Sequence, residues 1–279
     1  MNKTMIAVLL LSPGLALGQG PCAVERTQTL ELDTVGIETL QVSIGPDSLR
    51  LEGQDQEGGS LSVRMCASDQ TRLDDLAAAL ERDGDDRLVL ALDHGGRHNE
   101  IGRSWFITRS DYGRFEISGR IPARLAVDLT VGSGDAEVTN VGALEAVVGS
   151  GDLEVSRVDG RFTALVGSGD IEAERTGPVE IGSIGSGDIK LRGVEGDARI
   201  GNIGSGQLDL REVSGTVSIG TIGSGGAKLF DVGGDVEARA LGSGSIEARD
   251  IGGDLRLRSK GSGDVEHRGV KGSVSLPNR

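Results

Sequence analysis

The tripeptide Gly-Ser-Gly occurs eight times between residues 132 and 263, starting at Gly132, Gly149, Gly167, Gly185, Gly204, Gly223, Gly242 and Gly261. Successive copies lie 17, 18, 18, 19, 19, 19 and 19 residues apart. A period that regular, with no helix-length segment inside it, describes a solenoid in which each repeat is one coil stacked on the last. Two and four residues past each tripeptide stand apolar pairs: Ala136/Val138, Leu153/Val155, Ile171/Ala173, Ile189/Leu191, Leu208/Leu210, Ala227/Leu229 and Ile246/Ala248, closing with Val265/His267. Polar residues such as Glu137, Glu154 and Lys190 separate the members of each pair. Period-two alternation over so short a run reads as a half-buried strand.

A further apolar position falls nine residues past each first glycine (Val141, Val158, Val194, Val213, Val232, Ile251, Val270; Thr176 in one copy), followed by another glycine and a second strand such as Val179–Ile181 or Val217–Ile219. The chain therefore predicts an all-β fold, a two-sided parallel β-solenoid (β-helix) of about eight coils of 17–19 residues. Eight coils at roughly 4.8 Å each make a rod on the order of 40 Å long. Two facing strands leave a thin core, which suits small aliphatic side chains and an aromatic content of 2%. The short early repeats are expected to lose residues at the turns near Gly142 and Gly177, where a deletion need not flip a strand's faces.

Residues 27–122 differ in composition, with fewer glycines and longer strands. Strands are expected at Thr29–Asp33, Thr39–Ile44, Ser48–Glu52, Ser60–Cys66 and Arg87–Asp93, and a helix over Asp69–Arg82 with Leu73, Leu76, Ala77 and Leu80 on one face and Ser68 as its cap. Ser104–Thr108 and Arg114–Ser118 suggest a hairpin. Such a region suits a β-rich N-terminal cap with one short helix, covering the apolar end and open strand edges of the first coil. At the other end Arg256, Arg258, Lys260, Arg268 and Lys271 crowd the last coils; their charge discourages end-to-end growth, while a dimer through the C-terminal coil stays open as an expectation.

Met1-Asn2-Lys3, the apolar run Met5–Leu11 and Ala16-Leu17-Gly18 form a secretory signal peptide cut after Gly18. The expected organisation is thus residues 1–18 signal peptide, 19–130 cap region and 131–279 solenoid. Gln19-Gly20-Pro21 is a poor lipobox for Cys22, so a soluble periplasmic or secreted protein is expected. In that oxidising setting Cys22 and Cys66, the only cysteines, read as one disulfide. The net charge of −14 argues against nucleic acid and anionic membrane surfaces as partners, and no run is long enough for a membrane span.

The helix opening at Ser68-Asp69-Gln70-Thr71-Arg72-Leu73, the Ile121-Pro122-Ala123 segment leading to Val127-Asp128-Leu129, and the Val131-Gly132-Ser133-Gly134-Asp135 junction with its repeated Gly-Ser-Gly-Asp strands together resemble the bacterial putative-adhesin family of DUF4097 type, related to head GIN domains. The resemblance covers residues 27–279 and implies an exported, envelope-associated β-solenoid. It carries over no catalytic residues.

Candidate sites are few. Asp135, Asp152, Asp170, Asp188 and Asp264 follow the tripeptide, while Gln207, Gly226 and Ser245 replace them in three coils. Stacked carboxylates at turns suggest calcium, with Asp135, Asp152, Asp170 and Asp188 as ligands. A period of 19 and one acidic turn per coil fit turn-capping Asx side chains better. His94 and His98, with Asp93 and Glu100, are metal-capable residues in a glycine-containing loop that reads as solvated. Trp105, Phe106, Tyr112 and Phe115 concentrate four of the six aromatics, either as a binding patch or as core of the cap. Carboxylate pairs such as Asp152 with Asp170 would serve a polysaccharide-acting β-helix enzyme, but they belong to the repeat. The function expected is that of a non-catalytic envelope protein without cofactor, an adhesin-like binding or scaffolding module for an envelope protein or polysaccharide. The enzyme and a calcium-stabilised β-roll are the alternatives.

Overall fold

The computed structural model describes residues 22–95 and 112–277. The expected signal peptide, His98, Glu100, Trp105 and Phe106 lie outside the described residues. Before the repeats come β1 (Val24–Leu32), β2 (Thr39–Ile44), β3 (Ser48–Gln54), β4 (Gly59–Ala67), α1 (Gln70–Asp74), β5 (Ala77–Asp83), β6 (Arg87–Asp93) and β7 (Gly113–Pro122). Each repeat then contributes one strand on either side of its Gly-Ser-Gly. These are β8 (Ala126–Val131) and β9 (Asp135–Val141), β10 (Ala143–Val148) and β11 (Asp152–Val158), β12 (Phe162–Val166) and β13 (Asp170–Thr176), β14 (Val179–Ile184) and β15 (Asp188–Val194). They continue with β16 (Ala198–Ile203) and β17 (Gln207–Val213), β18 (Val217–Ile222) and β19 (Gly226–Val232), β20 (Val236–Leu241) and β21 (Ser245–Ile251), β22 (Leu255–Lys260) and β23 (Asp264–Arg268), and end with β24 (Val274–Ser275).

Among the described residues these strands make two twelve-stranded sheets. Sheet A runs β1-β4-β7-β3-β9 and then through the odd-numbered strands to β23; sheet B runs β5-β6-β2-β8 and then through the even-numbered strands to β24. The fold is an all-β, two-sided parallel solenoid in which equivalent residues of successive coils pair, as in Leu153↔Ile171 and Leu208↔Ala227. The apolar columns face inward and are buried from the first coil to Ile251 and Leu257, so each coil covers the core of the next at roughly 25 cal/mol per Å².

The N-terminal region is more than a lid. β2 pairs in parallel with β8 and β3 with β9, so residues 39–54 already form a coil, with Gly45-Pro46-Asp47 in place of Gly-Ser-Gly. β6 and β7 add another parallel coil above it. Only the outermost strands, β4, β5 and β1, run antiparallel and close the end. Hydrogen bonding therefore crosses the expected division at residue 130 without interruption.

The expected helix over Asp69–Arg82 shrinks to five residues, capped by Asp69, whose carboxylate accepts from the Arg72 N–H at 3.0 Å, and not by Ser68. Leu76, Ala78 and Leu80 also fit period two, and β6 offers β5 a free edge. Ladder pairing there outweighs a helical preference worth only tenths of a kcal/mol per residue. Of the expected hairpin, Arg114–Ser118 lies within β7, which pairs with β4 and β3.

The drift of the repeat from 17 to 19 residues has two separate sources. The turn after β9 or β13 is short (Gly142-Ala143; Gly177-Pro178), whereas in register Asp159–Arg161 and Glu195–Asp197 are one residue longer. From β14 onward, sheet B also carries one extra outward residue. Phe162, Ala164 and Val166 alternate inward without a break, but the later strands bury Val179, Ile181 and Ile184, then Ala198, Ile200 and Ile203. The register between β12 and β14 shifts at Ala164/Leu165, which makes Gly182 a β-bulge. Turn deletions alone, the expectation from sequence, account for only half of the change.

A second device explains why the apolar residue nine past each first glycine breaks the even spacing of its strand. The residue before it is left-handed in every repeat coil: Asn140, Arg157, Arg175, Glu212, Asp231 and Asp250 have φ between 56° and 65°, and glycine holds the place at Gly193 and Gly269. One left-handed residue turns the following side chain inward, so Val141, Val158 and their equivalents enter the core out of phase. Gly-Ser-Gly itself answers to close approach. A Cβ at its last glycine, as at Gly206, would overlap the carbonyl oxygen of Gly187 in the preceding coil.

Candidate functional site

The acidic ladder stands where the repeat places it. Asp135, Asp152, Asp170 and Asp188 are exposed at the start of the sheet A strands. Asp170 Oδ1 accepts from the Asp188 N–H at 2.8 Å, and Asp188 Oδ1 from the Gln207 N–H at 3.0 Å. The Asp170 and Asp188 carboxylates thus cap the amide of the next coil, which offsets the repulsion between stacked like charges there. Among the described residues the one group of three metal-capable ligand atoms within 4.8 Å is Cys22, Cys66 and Glu116, and both sulfurs are committed to a disulfide with a Cα–Cα distance of 5.4 Å. The structure does not gather the ladder's carboxylates into such a group. A second ladder, missed from the sequence, caps the other turn: Asp197, Asp235 and Asp254 accept from the N–H groups of Thr216, Asp254 and Ser273. The bond from Ser273 holds the Asp254 carboxyl below its ordinary pKa. The recurring Gly-Asp of that turn was the available signal.

The ladder lapses at Gln207, Gly226 and Ser245 around one coil. Gly226 is buried, and a Cβ there would meet Gln207 Oε1 at 2.6 Å and Ser245 Oγ at 3.2 Å, so neighbouring polar side chains fill the space over it. Four residues on, the Phe230 ring stands between Arg211 and Arg249, one from each adjacent coil, at 5.0 and 5.5 Å from its centroid. Arg211 is held by Asp209 at 2.7 Å, which lowers the Asp209 pKa, and Arg249 by Glu247. With guanidinium groups already against it, Phe230 reads as part of the stack.

The aromatic segment divides. Trp105 and Phe106 lie outside the described residues. Phe115 is fully buried and so presents nothing to a ligand; its ring meets that of His94 edge-on at 4.8 Å. Tyr112 is half-buried, and its hydroxyl accepts from the Ala23 N–H at 3.2 Å. Phe115 thus takes the core reading of the segment and not the binding-patch one, and Tyr112 packs at the capped end beside the N-terminal strand. His94 likewise is no solvated loop residue: its Nε2 lies 3.0 Å from each oxygen of the fully buried Asp47 carboxylate, which also accepts from Phe115 and Gly45 N–H groups. Asp47 occupies the place that is glycine in every Gly-Ser-Gly coil. His267 pairs in register with buried Ala248 but is exposed on the last coil.

The outward face of sheet B departs from a flat pleat in one place. The bulge residues Gly182, Gly201 and Gly220 stack in successive coils and leave a trough along the rod axis, walled on one side by Glu180, Arg199, Ser218 and Glu237. The next two coils put Arg239 and Arg258 at the same register. The bulge therefore does not require glycine, and the three glycines give the trough its depth. Leu165, 44% exposed, closes one end, its Cδ2 within 2.5 Å of where a Gly182 Cβ would stand. Arg239 closes the other, with Nη2 3.4 Å from Thr221 Oγ1 and 3.6 Å from where a Gly220 Cβ would stand. The run Ile-Gly-x-Ile-Gly-Ser-Gly in three consecutive coils, at Ile181, Ile200 and Ile219, was its sequence signal.

No protein-family model matches the chain, and neither does any curated protein. Solved structures do resemble it. A putative adhesin from Parabacteroides merdae aligns at TM-score 0.57 with 17% identity, covering 88% of this chain and 97% of its own. A putative adhesin from Parabacteroides distasonis aligns at 0.53 with 16% identity over 87% and 97%. A putative lipid binding protein from Parabacteroides distasonis aligns at 0.52 with 19% identity over 87% and 96%. At these identities the likeness is one of fold. Among the described residues no helix is long and apolar enough to cross a membrane.

Proposed function

We propose that this chain is an exported, non-catalytic rod of the cell envelope that works as an adhesin-like binding or scaffolding module. One observation carries the reading. Side chains that would make a catalytic pair in one coil recur at the same register in the next, as Asp152, Asp170 and Asp135 do, so they serve the stack, whereas the outward feature confined to a few coils is a trough over Gly182, Gly201 and Gly220. A disulfide between Cys22 and Cys66 suits an oxidising compartment, and two of the solved structures sharing the fold are named putative adhesins. A long, polar, rigid surface built from paired strands suits holding a partner without reacting with it. The test is retention of solubilised envelope components on the immobilised disulfide-bonded protein. Enrichment of a defined protein or glycan over a column of unrelated acidic protein is expected. Retention no greater than that control would refute the binding reading, and turnover of a polysaccharide would refute its non-catalytic part.

A further inference from the structure

We propose that the sheet B trough holds a linear, uncharged polysaccharide laid along the rod axis; the idea deepens the binding reading above and rests on it. The trough runs between Leu165 of β12 and Arg239 of β20, four strand spacings or roughly 20 Å at about 4.8 Å each, so the fitting partner is extended and narrow. Its floor is glycine backbone, because Gly182, Gly201 and Gly220 lack the side chains that would cover it. Its rim mixes donors and acceptors: the guanidinium groups of Arg199 and Arg239, the Asn202 amide, the Ser218 hydroxyl and the Glu180 and Glu237 carboxylates. Sugar hydroxyls need both kinds of partner, whereas an anion needs donors and a cation needs acceptors.

Charge decides among the polymers. Three arginines against two glutamates leave the trough almost balanced, and the protein as a whole carries −14, which disfavours a polyanion. A polycation would sit better on the acidic ladder of sheet A, where Asp152, Glu154, Asp170, Glu172 and Asp188 line a groove with a single lysine, Lys190. Arg199 is held by Asp197 at 3.1 Å and Arg258 approaches Glu237 at 3.7 Å, so both are positioned beforehand. Arg239 makes no ion pair among the described residues, and its guanidinium retains donors for a ligand beyond the bond to Thr221.

Native affinity electrophoresis tests the assignment, with hydroxyethylcellulose, mixed-linkage β-glucan and galactomannan as uncharged probes and polygalacturonate as the polyanion. At least one uncharged probe should slow the wild-type protein, and Arg199→Ala/Arg239→Ala should weaken that interaction at least tenfold. Arg211→Ala, on sheet A, should migrate as wild type. Circular dichroism of each variant verifies the fold, which these exposed positions leave intact. No retardation by any uncharged probe, stronger retardation by polygalacturonate, or equal retardation of the double variant would each overturn the proposal. If the double variant still captures the same envelope component as wild type, the trough is excluded while the general binding reading stands.

Discussion

The left-handed column makes the most direct physical test of the fold. Arg157 has φ 65° and is exposed, and its side chain makes no hydrogen bond or ion pair among the described residues. Its side chain contributes little, so its substitution isolates the backbone. Holding an L-residue in the left-handed region costs about 1–2 kcal/mol. Glycine avoids that cost but loses about 0.5–1 kcal/mol through its freer unfolded chain. Arg157→Gly should therefore stabilise the protein by about 0.5–1 kcal/mol, or roughly 1–4 °C in Tm for a chain of this size. Arg157→Ala should lie near wild type, and Arg157→Val should be destabilised by about 1 kcal/mol or more, since a β-branched side chain is poorly tolerated there. Denaturant midpoints at unchanged m-value, with amide exchange of the flanking coils, give the ranking; the local readout matters because stacked repeats can open in segments. A glycine variant no more stable than the alanine variant would refute the claim that this φ, and not side-chain contact, sets the position's requirements.

Reducing the Cys22–Cys66 bond, which closes a 44-residue separation, should cost about 4 kcal/mol by loop entropy and release β1 first, read as lost amide protection across Val24–Leu32 on adding reductant. Gly206→Ala should yield little soluble folded protein, because the new methyl meets the Gly187 carbonyl; near-normal expression and melting would show that the coils can spread. The depressed Asp254 pKa stabilises the last turn at pH above the unfolded carboxylate value, and that contribution is lost as pH falls through the folded value. Protection of the Ser273 amide should thus decline below about pH 4, and Asp254→Asn, which keeps an acceptor, should flatten the dependence. If the acidic ladder caps amides, the Tm should be the same with millimolar calcium and with chelator; a rise with calcium would restore the β-roll alternative.

Sequence periodicity alone determined the rod, its inward columns and its strand positions, because stacking equivalent residues forces the same residue type to recur at the same place. It named β2 and β6 at their observed limits, and paired Cys22 with Cys66. It did not disclose that residues 39–54 are already a coil, since Gly45-Pro46-Asp47 lacks the repeated word and its partner β8 is more than 80 residues away. Nor did it separate a five-residue helix followed by a strand from one long helix: Leu76 and Leu80 satisfy both periods, and only the free edge of β6 settles the choice. The trough shows the same division. The glycines were visible as letters, but their outward stacking depends on a bulge, and a bulge exists only when two strands are paired with unequal residue counts. Local pattern is written in the chain. Register between distant strands, and with it the burial of Asp47 and Phe115 and the opening of the sheet B face, arises only when the coils are stacked.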